Sequence, residues 1–257
     1  MNNLPPRDQL FDIIFPNQHT AKAIRVKQDA DPEVIKTALG FNEIYPIIFI
    51  TGGASAMSDR DKQLTQSIIE SIAEFAEEQE TVIIDGGTES GIMKMIGDTR
   101  GNQGYKFPLI GVSPMGKVSY PGYGNPNEEA FLEDSHSHFV LVEGETWGDE
   151  SSMIVNLTHA ISGHREKPAV GILINGGKIA MHEVYLATTT QNKLPMIVLD
   201  GSGRAADEIS TAFRTGKTAQ DILQAIIAGG DIQLVGTIEG PEAVRKKLAK
   251  KFEPKST

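Results

Sequence analysis

Four glycine-rich segments are placed to do chemistry with their backbones. The stretch Ile47-Ile48-Phe49-Ile50-Thr51-Gly52-Gly53-Ala54-Ser55 runs from apolar residues into a Gly-Gly turn. It reads as a buried parallel strand feeding a loop whose bare amides can face a ligand. Asp85-Gly86-Gly87-Thr88-Glu89-Ser90-Gly91-Ile92-Met93 repeats the pattern after a second apolar run. Gly176-Gly177 and Gly201-Ser202-Gly203 do the same after two more. Such turns suit a phosphate-bearing molecule, because loop amides and the start of the following helix converge on one point. Gly86 and Gly87 let a ligand approach the backbone, and Gly91 lets the next helix pack closely on its strand. A single Gly-Gly is an ordinary turn; it is the recurrence that points to binding.

Side-chain chemistry is sparser. His136-x-His138 would place two imidazoles on one side of an extended strand, but no third ligand stands at a metal-binding spacing. A structural hydrogen-bonding role is therefore expected, and no metal. Glu143, Asp149 and Glu150 follow that strand and could orient a ribose hydroxyl, or front a solvated helix start. Trp147 between them could stack on a base or serve packing.

Strands alternating with helices must position these groups. Residues 10–15 and 21–26 read as two short strands, and Asp31-Pro32-Glu33 opens a helix closed by Gly40. Residues 1–44 are thus expected to be an appendage on one edge of a main unit spanning 45–257. Residues 61–79 form a helix with Leu64, Ile68, Ile72, Phe75 and Ala76 on its core face. Further strands are expected at 81–85, 109–112 (ending at Ser113-Pro114), 139–142, 169–174 and 196–199, with a helix ending near Gly163. A long loop, 115–134, is expected to be functional or mobile, as a lid over the site would be. Thr218 should cap a short helix to about Ala228, residues 232–235 add an edge strand, and Gly240-Pro241 opens a Lys/Arg-rich last helix. The alternation predicts an α/β fold: a Rossmann-like, doubly wound, mostly parallel sheet whose ligand crevice gathers the glycine loops on one edge.

Composition narrows the function classes. The chain has 257 residues, 39% hydrophobic and 23% charged, which favours neither disorder nor membrane residence. Its net charge of −10 and lack of a long basic run argue against nucleic acid as a partner. Lys246, Lys247, Lys250 and Lys251 read as a solvated helix face. The absence of cysteine excludes thiolate chemistry, and the opening Met1-Asn2-Asn3 does not read as a signal peptide, so the cytoplasm is the expected compartment.

In order along the chain, Ile50-Thr51-Gly52-Gly53-Ala54, the segment from Asp85 to Met93, Ser135-His136-Ser137-His138-Phe139-Val140-Leu141-Val142, and Leu199-Asp200-Gly201-Ser202-Gly203-Arg204-Ala205-Ala206-Asp207 resemble the N-terminal homology region of the transient receptor potential melastatin channels. That region belongs to the SLOG superfamily, and this chain is similar to its prokaryotic, stand-alone form. The resemblance implies a sensor of a nucleotide-derived small molecule, ADP-ribose-like, with no further cofactor, a homo-oligomeric state and an effector protein as a possible partner. Under it, Thr51 with the Gly52 and Gly53 amides would hold phosphate, and Gly201-Ser202-Gly203-Arg204 would supply a second anion loop. The alternative for Arg204 is a surface pair with Asp207 or Glu208. Together with Gly86, Gly87, Thr88, Gly91, Ser113, His138, Glu150, Gly176 and Gly177, these are the candidate ligand-binding residues. The helix after the His-x-His strand, typically arginine-bearing in the channels, here reads Met153-Ile154-Val155-Asn156-Leu157-Thr158-His159. The same superfamily includes the lonely guy phosphoribohydrolases, whose Pro-Gly-Gly-x-Gly-Thr-x-x-Glu loop carries a catalytic Glu. Asn175-Gly176-Gly177-Lys178-Ile179-Ala180-Met181-His182-Glu183 keeps the two glycines and the Glu but replaces Gly-Thr by Ile179-Ala180. Glu183 is accordingly the one candidate catalytic residue, for cleavage of a nucleotide's N-glycosidic bond.

Overall fold

A computed structural model describes residues 4–253; Met1 to Asn3, read above for a signal peptide, lie outside the described residues. In chain order its strands are β1 (Leu10–Ile14), β2 (Thr20–Val26), β3 (Ile47–Gly52), β4 (Val82–Asp85), β5 (Leu109–Pro114), β6 (Val118–Ser119), β7 (Ala130–Phe131), β8 (His138–Val142), β9 (Ala169–Ile174), β10 (Met196–Asp200) and β11 (Ile232–Gly236). The helices are α1 (Pro32–Ala38), α2 (Asp59–Glu78), α3 (Gly91–Gln103), α4 (Ser151–Ile161), α5 (Lys178–Thr189), α6 (Arg204–Thr215), α7 (Asp221–Gly229) and α8 (Gly240–Phe252). Nine strands make one sheet in the order β1-β2-β8-β5-β4-β3-β9-β10-β11, parallel throughout except for β1 against β2.

The central strands read as unbroken apolar runs because both their faces are covered by helices. Ile47 and Phe49 of β3 enter one buried cluster, Ile48 and Ile50 the other. The first cluster also takes side chains from α1, α4, α5 and α6, the second from α2, α3 and α8. The fold is therefore α/β, Rossmann-like and doubly wound, as expected from the alternation of elements.

The connections fix where a ligand can enter. From β3 the chain winds outward through β4 and β5 to β8; it then returns to lay β9 against the other side of β3, and winds out through β10 to β11. Loops after β3 and β9 therefore leave in opposite directions, opening a crevice at their carboxyl ends. Gly52 pairs with Ile174 there at φ +138°, and a Cβ at Gly52 would overlap the Ile174 carbonyl. The Gly-Gly turn is thus required by the close pass of two strands.

Two local expectations are corrected. Residues 115–134 are not a structureless loop: Met115–Lys117 form a 3-10 turn, β6 pairs with β7, and Tyr120 is buried in a cluster with Phe139 and Leu141. The short strands lacked the apolar run that betrays a strand in sequence. Thr218 does not cap α7; Gln220 holds the cap position, and the Thr218 hydroxyl accepts from the Gln220 amide at 3.2 Å, two residues upstream.

A candidate ligand-binding cleft at the switch point

The crevice holds a cleft of about 500 Å³, within the size range of small-molecule sites. Thr51 and Gly52 from the end of β3, Gly86 and Thr88 from the loop after β4, and Trp147 and Glu150 from the loop before α4 line it. Gly177, Lys178, Ile179, Ala180 and Glu183 from the start of α5, and Arg204 at the start of α6, complete the wall. Of the helices that begin around the cleft, α3 and α5 leave their first amides open, whereas at α6 the Ala205 and Ala206 amides donate to the Gly176 and Asn175 carbonyls at 3.3 and 2.9 Å and at α4 the Ser151 amide donates to the Gly148 carbonyl at 3.1 Å. The side chains of Asp31 and Ser58 cap α1 and α2, whereas α3, α4, α5 and α6 begin without a side-chain cap. Uncapped amides carry the positive end of the helix dipole, the arrangement that receives anions.

The two cations of the cleft are uncommitted. Among the described residues the Arg204 guanidinium and the Lys178 ammonium make no hydrogen bond and no ion pair. Asp207, the expected surface partner of Arg204, instead accepts from the Gly201 amide at 2.7 Å. Arg204 lies against the α5 start: a Cβ on Gly177 would stand 2.8 Å from its Nη2. The guanidinium thus stands beside Gly177, at the N-cap of α5.

The acidic end is unlike the cationic one. Glu183 is 5% exposed; its Oε2 accepts from the Thr51 hydroxyl, and its Oε1 from the Ser151 hydroxyl at 3.2 Å. Glu150 is 4% exposed; its Oε2 accepts from the Gly148 amide at 2.8 Å, and its carboxyl also accepts from its own backbone amide. Burial pushes both carboxyls up to about 7, and the nearby Glu150 adds to the rise at Glu183. Among the described residues no cation pairs with either to offset that rise.

Not every expected residue faces the cleft. Ser113 is buried and donates to the Gly86 carbonyl at 2.6 Å, fixing the loop from behind. Ser202 likewise donates to the Leu199 carbonyl at 2.6 Å and accepts from the Asn175 amide at 2.7 Å. Gly87 meets Gly111 backbone to backbone, and Gly91 sits against Ala54 and Gly53. Gly176 lines an adjoining cavity with Gly177 and Arg204, Gly201 and Gly203 shape their turn at positive φ, and the Gly53 amide, expected to hold phosphate, donates to the Ile174 carbonyl at 3.1 Å. His138 does not reach the site. It opens β8 at the opposite edge of the sheet, packed 5.1 Å from Phe41, and burial lowers its pKa to about 4.

The two histidines also fail to share a face. The strand begins only at His138, so two-residue alternation does not extend back to His136. His136 turns under the glycine loop, fully buried, with Nε2 2.9 Å from Asp85 Oδ1 and Nδ1 2.6 Å from Glu133 Oε2. Burial opposes its charge, but the two carboxylates outweigh it and raise the pKa to about 9. Asp85 Oδ1 also accepts from the Gly87 amide at 2.7 Å, so the network holds the loop that lines the cleft. A Cβ at Gly97 would overlap the Glu133 carboxylate, which shows how closely α3 packs on the network. Sequence reasoning missed this cluster; its one signal was an acid, Asp85, ending an otherwise apolar strand.

The family profile described as SLOG in TRPM, prokaryote, matches residues 45–246. The chain belongs to this family. The SLOG match begins just before β3 and contains every element that lines the cleft. Curated relatives agree with it. Transient receptor potential cation channel subfamily M member 2 of Mus musculus is 27% identical over 245 residues, covering 80% of this chain and 16% of that protein. The Drosophila melanogaster channel trpm is 26% identical over 254 residues, covering 86% of this chain and 12% of the channel. Subfamily M member 7 of Homo sapiens is 24% identical over 222 residues, 74% of this chain and 12% of that protein. The chain thus corresponds to a small part of each channel, and no helix among the described residues is long and apolar enough to cross a membrane.

Proposed function

We propose that this SLOG domain binds a phosphorylated, nucleotide-derived small molecule of the ADP-ribose type in the switch-point cleft, as a sensor whose occupied state is passed to a partner protein. One observation carries the reading: an unpartnered guanidinium, Arg204, beside the uncapped start of α5 at the wall of a 500 Å³ cleft. A guanidinium with no protein partner is free to engage phosphate oxygens bidentately. The acidic end, Glu150 and Glu183 with Trp147 beside them, suits the hydroxyl-bearing and aromatic parts of such a ligand.

A second reading rests on Glu183 alone. A buried carboxyl near neutrality in the same cleft can orient water or stabilise the charge that develops at a ribose carbon during N-glycosidic cleavage. Proton NMR of ADP-ribose, NAD and AMP incubated with the protein tests both. Ligand signals that broaden and stay intact support the sensor. Free-base and ribose-phosphate signals that vanish in Glu183→Gln support the hydrolase. Sharp, unchanged signals for all three compounds would end both readings.

A further inference from the structure

Residues 115–134, between β5 and β8, are bonded to two walls of the cleft at once. On one side they pair with the glycine loop after β4: the Glu89 amide donates to the Phe131 carbonyl at 2.8 Å, the Glu133 amide donates to the Gly87 carbonyl at 3.0 Å, and Thr88 bridges Leu132 in antiparallel sense. On the other they meet the loop that leads into α4. The Gly116 amide donates to the Gly144 carbonyl at 2.8 Å, and a Cβ on Gly116 would stand 2.6 Å from that backbone oxygen, so the pass requires glycine. Thr88 and Trp147, which line the cleft from these two loops, are thus fastened to the same insertion.

The insertion holds Trp147 in two ways. The ring packs against the buried cluster to which the insertion contributes Met115, Val118, Tyr120 and Leu132. Its Nε1 donates to Glu129 Oε2 at 2.7 Å. The other Glu129 oxygen takes Lys117 Nζ, and the Glu129 amide donates to the Lys117 carbonyl at 2.8 Å, so the carboxylate is itself tied down within the insertion. An indole has one donor and no acceptor. Here that donor goes to a residue outside the cleft lining, which leaves the ring to serve the cleft as an aromatic wall. We infer that residues 129–133 are a brace between two walls of the cleft, with Glu129 as a positioning residue: its carboxylate sets the Trp147 indole, while the backbone of the same segment sets the Thr88 loop. For its benefit to binding the brace rests on the nucleotide reading above, since a wall ordered in advance loses less freedom when a flat group stacks on it.

Trp147 is the chain's one tryptophan, so its fluorescence reads the brace directly. In the ligand-free protein Glu129→Ala, a change at an exposed position, is expected to leave the melting temperature unchanged, shift the emission maximum to the red and raise acrylamide quenching. Glu129→Gln keeps an acceptor for the indole and should restore wild-type emission and quenching. Affinity for ADP-ribose should fall roughly three- to tenfold in Glu129→Ala, the cost of ordering one large side chain on binding, and recover in Glu129→Gln. Emission and quenching equal in wild type and Glu129→Ala, or failure of Glu129→Gln to restore them, would overturn the brace. So would equal ADP-ribose affinity in Glu129→Ala and in a wild type that binds it. Absence of ADP-ribose binding to the wild type would overturn the nucleotide reading alone, with the fluorescence comparison still deciding the brace.

Discussion

Two pairs of buried carboxylates share the carboxyl edge of the sheet and meet the cost of burial in different ways. Asp85 and Glu133 hold a charged histidine between them, with hydrogen bonds of 2.9 and 2.6 Å, and they tie the glycine loop after β4 to the segment before β8. Glu150 and Glu183 have no paired cation among the described residues, and burial raises each to about 7. The first pair is closed to solvent, with Asp85 Oδ2 and Glu133 Oε1 left without a hydrogen-bond partner among the described residues, whereas the second lines an open cleft. A buried acid with a built-in counterion is scaffold, whereas a buried acid left to manage its own proton beside a cavity is a site.

Removing the counterion should have the largest effect. His136→Ala leaves two carboxylates facing each other in the interior and is expected to cost about 3–5 kcal/mol in urea unfolding, because uncompensated buried charge is heavily penalised. A loss under about 1 kcal/mol would mean the network is not what holds the loop. Next comes Arg204→Ala. Its guanidinium has no protein partner to lose, so the melting temperature should be unchanged while ADP-ribose affinity falls by about 1.5–3 kcal/mol, the usual range for a charged hydrogen bond. Equal affinity in the two proteins would remove Arg204 from the site.

The smallest effect separates the pairs by pH. Both shifts are upward, so each group contributes stability below its unfolded pKa and loses it as pH rises through the folded value. For Glu150 and Glu183 the window runs from 4.5 to about 7, and for His136 from 6.5 to about 9. Glu183→Gln should therefore flatten the fall in stability between pH 4.5 and 7 and gain on the order of 1 kcal/mol at pH 8, with the decline toward pH 9 untouched. Parallel stability curves for wild type and Glu183→Gln across the lower window would contradict the raised carboxyl.

How legible this was in the sequence follows from the range of the forces involved. The central sheet strands were readable as apolar runs and β2 by its alternation of polar and apolar residues, both local signals. That β9 lies beside β3 was not, since parallel neighbours are chosen by packing between segments far apart in the chain. Thr51, Gly177 and Arg204 could be picked from their loops, yet Ser113 and Ser202 carry the same residue types and turn inward to carbonyls. Glu150 reads equally well as a solvated helix start; only the tertiary fold buries it. His138 was misplaced because the motif gives its spacing but not which end of the strand it occupies.

Hydrogen exchange with and without saturating ADP-ribose tests the central claim most directly, since it reports where a ligand stabilises the chain as well as whether it does. The account predicts slowed exchange confined to the amides around Gly52, Gly86 to Thr88, Gly177 to Ala180 and Arg204, with the His138 edge unchanged. Identical exchange in both states, or protection centred on the opposite edge of the sheet, would contradict it.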